Sequence, residues 1–107
     1  MYTKALLTDL YQLTMMQGLF FEGKHEQQCV FDRYYRTNPF QGGYTVVAGL
    51  EHLIDYVHNI HFSADDLAYL KRTGFFQDEF LDYLKDLRFT GVIYAMPEGT
   101  VAFPQEV

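Results

Sequence analysis

The residues of this chain whose types and spacing could do chemistry fall in two short stretches. In LTDLYQLTMMQG, residues 7–18, Asp9 stands two positions before Tyr11 where the pattern reads as the start of a helix. A tyrosine face stacks well on a flat aromatic ligand, and a nearby carboxylate can orient a ring nitrogen or a water. The ordinary reading of the same pair is an N-cap aspartate beside a half-buried tyrosine. In FDRYYRTNPF, residues 31–40, Arg33 and Arg36 close a strand-like run ahead of a glycine-containing turn. A guanidinium fork suits phosphate. Three apart on a strand, the two arginines point to opposite faces, so they form no joint clamp unless the strand bends. Their ordinary reading is solvated or ion-paired side chains.

The remaining candidates carry less. His58 and His61 lie three apart near a helix end, where a protonated ring complements the dipole. A metal would need a third and usually a fourth ligand, and His52 faces away while His25 stands apart, so no metal site is expected. Cys29 is the single cysteine and cannot close an internal disulfide, which points to a reducing compartment. Inside an apolar run it reads as a buried small hydrophobe. Gly42-Gly43 has neither dinucleotide-loop nor P-loop spacing. Asp65-Asp66 reads as a helix start, and Glu98 sits in a Pro-Glu-Gly turn without an acid partner nearby in sequence. No Ser-His-Asp or Cys-His arrangement emerges, so no catalytic residue is assigned.

Several elements must position these residues. Thr8 or Asp9 can cap a first helix, with Leu6, Leu10, Leu13 and Phe20 on one stripe and Tyr11, Met15 and Leu19 beside it. Gly23 is its expected stop. Residues 28–36, QCVFDRYYR, read as a strand covered on both faces; NPFQGG is a turn and YTVVA a short second strand. Leu50, Leu53, Ile54 and Val57 follow helical spacing. Ser63 and Asp66 form a variant capping box opening a short helix that Gly74 ends. A further helix should bury Phe80, Leu84 and Leu87, with Tyr83 alongside. FTGVIYAM then reads as a strand, PEG as a turn with Pro97 second and Gly99 fourth, of type I, and TVAF as a last strand. Helix, strands, helices, strands in that order indicate α+β, with helices packed on a small, mainly antiparallel sheet.

The totals narrow the class. With 107 residues there is room for one domain with a modest core, and 49% apolar residues exclude a disordered segment. Ten Phe and nine Tyr without a Trp need a surface to bury them. A net charge of −6 argues against a nucleic-acid groove. The sequence has no apolar run of about eighteen residues, so no membrane span is expected. MYTKALLTDLYQ lacks the apolar stretch of a signal peptide, and a cytoplasmic protein is the expectation. The ending VAFPQEV, directly after a strand, suggests part of a longer polypeptide. Composition and spacing therefore describe an α+β segment without a self-contained active site.

Three stretches add a resemblance. LLTDLYQLTMMQG, FDRYYRTNPFQGGYTVVAGLEHLI and FLDYLKDLRFTGVIYAMPEGTVAFP together resemble the N-terminal domain of the nicotinate phosphoribosyltransferases, a type II phosphoribosyltransferase family, in the family's order and over nearly all of the chain. The resemblance implies that residues 1–107 are a partial N-terminal domain lacking the irregular α/β barrel. It implies an enzyme of NAD biosynthesis by salvage, forming nicotinate mononucleotide from nicotinate and phosphoribosyl pyrophosphate with ATP hydrolysis. ATP and Mg2+ would serve the full-length homodimer, with none bound to this segment, which alone would be inactive. The family's phosphorylated barrel histidine would lie beyond residue 107, so none of the four histidines here takes that role. Tyr11 matches the tyrosine that stacks on the pyridine ring in the neighbouring subunit's active site, and Asp9 matches the aspartate beside it. Arg36, within YYRTNPF, resembles an arginine reaching the phosphates of the ribosyl donor, again across the dimer. Rings left unburied would pack on the barrel or the partner subunit. The alternative is a stand-alone ligand- or partner-binding module related to that domain, with a histidine metal site a weaker third.

Overall fold

The computed structural model describes residues 5–107. The elements run α1 (Leu10–Phe21), β1 (Thr45–Val46), α2 (Leu50–Asn59), α3 (Ala64–Thr73), α4 (Asp78–Asp86) and β2 (Val101–Ala102). Four helices and a two-stranded antiparallel sheet make an α+β fold. The chain gathers into two compact units. The first holds the described residues of Met1–Gln28 together with Tyr56–Phe89, and the second holds Cys29–Asp55 and Thr90–Val107. The division passes through α2.

The first unit is helical, and local chemistry sets its ends. Asp9 is the N-cap of α1 with extended backbone, and the Gln12 side chain returns to accept from the Asp9 N–H at 3.2 Å. Gly23 ends the helix at φ +68°, with the Lys24 N–H bonding the Leu19 carbonyl at 2.8 Å and the Gly23 N–H that of Phe20 at 3.1 Å. This is the Schellman arrangement, in which a left-handed glycine lets the chain turn back onto the last free carbonyls. At α3, Ser63 Oγ accepts from the Asp66 N–H at 3.1 Å while Asp66 Oδ2 accepts from the Ser63 N–H at 2.8 Å. Aspartate thus completes the capping box, and Gly74, at φ +78°, stops the helix as expected.

The core of this unit is Leu13, Phe62, Leu70, Phe76, Phe80, Leu81 and Leu84, with Met16, Phe20, Tyr83 and Leu87 packed against it. Phe80 and Leu84 are wholly buried. The helical spacing of α4 therefore reads correctly. In α1 the inward stripe is Leu13, Met16 and Phe20, with Leu6 of the preceding turn packed against the same core, and Leu10, expected on the stripe, is half exposed. Leu10 opens the first turn, ahead of the level at which the core begins with Leu13. One polar side chain ties α1 to the loop before α4. Gln17 Nε2 donates to the Phe75 carbonyl at 3.0 Å, and Gln17 Oε1 accepts from the Gln77 N–H at 2.8 Å. An amide side chain here satisfies two backbone groups as a neighbouring strand would.

The second unit is built on the pairing of β1 with β2, with Thr45 opposite Ala102 and Val46 opposite Val101. The ladder is extended by Val47, whose N–H bonds the Thr100 carbonyl and whose carbonyl accepts from the Gly99 N–H, both at 2.8 Å. That register fixes the adjoining turn. The Thr100 N–H closes on the Pro97 carbonyl at 3.1 Å, so Pro97 is first and Gly99 third, at φ +82°. A positive φ at the third position is the type II pattern, one residue out of step with the type I turn expected. Glu98 Oε2 accepts from the Glu51 N–H at 3.3 Å, placing a carboxylate on the first turn of α2, where negative charge complements the helix dipole.

Two expected strands do not form. Residues 28–35 and 89–96 run without ladder pairing, leaving Val30, Phe31, Val92 and Tyr94 at least three-quarters exposed. Cys29, expected to be buried, is exposed for the same reason: its stretch lies outside the sheet. The NPFQGG turn also differs from its reading. The Gly42 N–H closes on the Pro39 carbonyl at 3.0 Å, and the left-handed residues are Phe40 and Gln41, at φ 57° and 56°, not the glycines. Gly42 is needed for space, since a Cβ there would come to 3.2 Å from the Pro39 carbonyl.

Gln17→Ala is expected to destabilise the protein by about 1–3 kcal/mol, since it removes two hydrogen bonds each worth about 0.5–1.5 kcal/mol. Denaturant unfolding measures this; a change under about 0.5 kcal/mol, as at an ordinary surface site, would show that the bridge contributes little.

Candidate functional site

Tyr11 follows from the seating of α1. With Leu13, Met16 and Phe20 turned to the core, the face bearing Tyr11, Met15 and Leu19 turns outward. Tyr11 is 60% exposed, and its carbonyl accepts from Thr14 Oγ1 at 3.0 Å within the helix. The ring is therefore presented, not sealed in the unit's own interior. Asp9, also exposed, sits one turn-start earlier as the cap. Its ordinary reading holds for the backbone, and its carboxylate lies at the helix end where four amides lack helical partners. Thr8 Oγ1 also contacts Gln12 Oε1. The first turn is thus held by Thr8, Asp9 and Gln12, and Tyr11 rides on it.

Arg36 belongs to the second unit. It is exposed and lies in a bend just before the Pro39–Gln41 turn. Its neighbour Tyr35 is anchored. The Tyr35 hydroxyl donates to the Ala102 carbonyl at 2.8 Å and lies 3.0 Å from Asn38 Oδ1. The Tyr35 carbonyl accepts from the Gln105 N–H at 2.9 Å. Burial, and next the negative charge of Glu106, push the Tyr35 phenol above its ordinary range, while the Thr45 N–H opposes them. The phenol stays a neutral donor at physiological pH. Arg33 is likewise exposed.

Two of the four histidines make local contacts. The His25 ring stands edge-on to Tyr83 at 5.1 Å and lies 5.0 Å from Phe20, completing an aromatic cluster at the end of α1. His61 Nδ1 pairs with the Asn59 carbonyl at 2.9 Å. Among the described residues no three His, Cys, Asp or Glu side chains gather where they could hold a metal ion. Sequence reading missed Gln17 and Tyr35, and the helix-start partner of Glu98. Each of the three is a polar or amphipathic side chain whose partner is a backbone group distant in sequence, which no periodicity marks.

The comparisons with known proteins decide the family. The model of the nicotinate phosphoribosyltransferase N-terminal domain matches residues 6–107. The chain belongs to that family. It is 43% identical over 106 residues to a nicotinate phosphoribosyltransferase of Dictyostelium discoideum, covering 97% of this chain and 18% of that protein. It is 42% identical over 102 residues to one of Mycobacterium tuberculosis, covering 95% of this chain and 22% of that protein. For one of Bacillus subtilis the identity is 41% over 102 residues, with 95% and 21% covered. The chain thus spans about a fifth of the length of these relatives. As a nicotinate phosphoribosyltransferase N-terminal domain, it carries Asp9 and Tyr11 in the helical unit and Arg36 in the sheet unit. No helix among the described residues is long and apolar enough to cross a membrane.

A raised phenol pKa in the folded state favours the neutral form. The stability it contributes is full below the ordinary tyrosine value of about 10 and is lost as pH rises through the higher folded value. Unfolding of the protein at pH 7–9 and again at pH 10–11 should show an alkaline loss that Tyr35→Phe reduces. An alkaline loss as large in the variant as in the parent would assign it to other groups.

Proposed function

We propose that this chain is the N-terminal part of an enzyme that forms nicotinate mononucleotide from nicotinate and phosphoribosyl pyrophosphate, with coupled ATP hydrolysis, in NAD salvage. The observation that carries the reading is the outward ring of Tyr11, held on a capped first turn within a sequence that matches the family from residue 6 to residue 107. The ring stacks on the pyridine of nicotinate, in the active site of the second subunit of a homodimer, and Asp9 stands beside it. Arg36 contacts the phosphates of the donor. A stacked ring fixes the direction of the attacking nitrogen, and a cation near the pyrophosphate stabilises the charge that develops as it leaves. The sugar passes through an oxocarbenium-like state, so holding both partners in a dry pocket supplies the rate. These groups bind and orient; none transfers a proton. ATP with Mg2+ serves parts of the enzyme outside this segment, whose residues are assigned no share in holding the ion, and the segment alone is inactive. The enzyme is placed in the cytoplasm.

In the full-length enzyme, Tyr11→Ala should raise the KM for nicotinate roughly 5- to 150-fold, the equivalent of about 1–3 kcal/mol of stacking. Stability should move by less than about 0.5 kcal/mol, because the ring is exposed. An unchanged nicotinate KM would remove the stacking role. Arg36→Ala should instead raise the KM for phosphoribosyl pyrophosphate roughly ten- to a hundredfold, from the loss of a charge-assisted bond. A change confined to nicotinate would remove the phosphate assignment.

A further inference from the structure

We infer that Tyr35 is a positioning residue for Arg36, acting through its phenol hydroxyl. The inference rests on the phosphate-contacting reading of Arg36. Thr45 and Ala102 are direct partners across β1 and β2. The Tyr35 hydroxyl reaches this pair, donating to the Ala102 carbonyl at 2.8 Å. One hydroxyl therefore stitches a third segment onto the end of a two-stranded ladder. The main chain of Tyr35 is fixed as well, its carbonyl accepting from the Gln105 N–H at 2.9 Å. The Phe103 N–H bonds Glu106 Oε2 at 2.8 Å and steadies the segment on which Gln105 lies.

These bonds matter for Arg36 because of where they stop. Residues 28–34 run outside the sheet, and Arg36 itself lies in a bend with an exposed side chain. Tyr35 is the point at which that run is tied to β2 and its continuation, and Arg36 is the next residue. On the other side, Asn38 Oδ1 lies 3.0 Å from the same hydroxyl. The bend that carries Arg36 is thus tied at its Tyr35 end, with Asn38 lying close beyond it. Without the hydroxyl, the guanidinium keeps its charge and its backbone tether to Gln105 but loses one of the two bonds that fix its origin. A charged group held loosely loses more in orientation than in reach, which is the loss that raises the KM of the ligand it meets.

The test is a double-mutant cycle in the full-length enzyme, with Tyr35→Phe, Arg36→Ala and the two together, reading the KM for each substrate, kcat and the thermal midpoint. Tyr35→Phe keeps the ring and removes only the hydroxyl. It should raise the KM for phosphoribosyl pyrophosphate roughly tenfold, less than the hundredfold that an ångström of misplacement can cost, and leave the nicotinate KM within about twofold. In the Arg36→Ala background the same change should add almost nothing, because coupled residues are not additive. An equal factor in both backgrounds overturns the inference, as does a parallel rise in both substrates' KM with a fallen midpoint, which marks a general structural role. If Arg36→Ala raises the donor KM and Tyr35→Phe does not, positioning fails while the phosphate reading stands. If Arg36→Ala itself leaves the donor KM unchanged, the phosphate reading falls and takes the inference with it.

Discussion

Phe80 is without solvent-exposed surface, its ring 5.8 Å from Phe20, 6.0 Å from Phe76 and 6.3 Å from Tyr83. Burying a ring of that size is among the larger single gains available to a small core. It is achieved only if α1 presents Leu13, Met16 and Phe20 inward. That demand settles the rotation of α1 about its axis, and with it the direction of Tyr11. The exposed ring of Tyr11 needs no interaction of its own to be aimed. It is aimed by what its helix buries on the opposite side, and by the cap and Schellman stop that fix where the helix begins and ends.

The second unit solves a related problem with less material. Its regular pairing is two residues per strand, too little to hold a long loop by backbone bonds alone. Side chains and turn chemistry make up the difference. Gly99 takes the left-handed turn position that lets its own N–H and the Thr100 carbonyl meet Val47. Glu98 reaches the start of α2, and the Tyr35 hydroxyl donates to the Ala102 carbonyl on β2. The PEGTV and YYRTNPF stretches thus combine scaffold with site. Most of their residues set geometry, and Arg36 is the one read as touching a ligand.

Much of the helical unit was legible in the sequence because its determinants are local. Ser63, Asp66, Gly23 and Gly74 act on amides and carbonyls within a turn, and the spacing of Phe80 and Leu84 reports one buried face. Leu10 was misplaced because periodicity gives a stripe's direction and not where the core beneath it ends. The runs at 28–36 and 89–96 have strand-like composition, but composition does not supply a pairing partner, and Cys29 was misjudged along with its run. Asp9, Tyr11 and Arg36 were singled out through family likeness; residue types alone gave each of them an ordinary structural reading as well. Gln17 and Tyr35 left no trace in any pattern, since what defines them is a backbone atom some sixty residues away.

The Pro39–Gln41 turn places the two residues least suited to it in left-handed backbone and leaves glycine to the position that needs clearance. A non-glycine residue in that region costs about 1–2 kcal/mol, so Phe40 and Gln41 hold a reserve of conformational energy next to a wholly exposed phenyl ring. Exchanging either for glycine would relax the backbone. Doing so at position 40 would also delete the ring, whereas at position 41 it would spare it. The loop can therefore be loosened without being blunted at one position only, and a shift of the glycine pair one residue toward the C-terminus would set a Cβ at position 42, 3.2 Å from the Pro39 carbonyl.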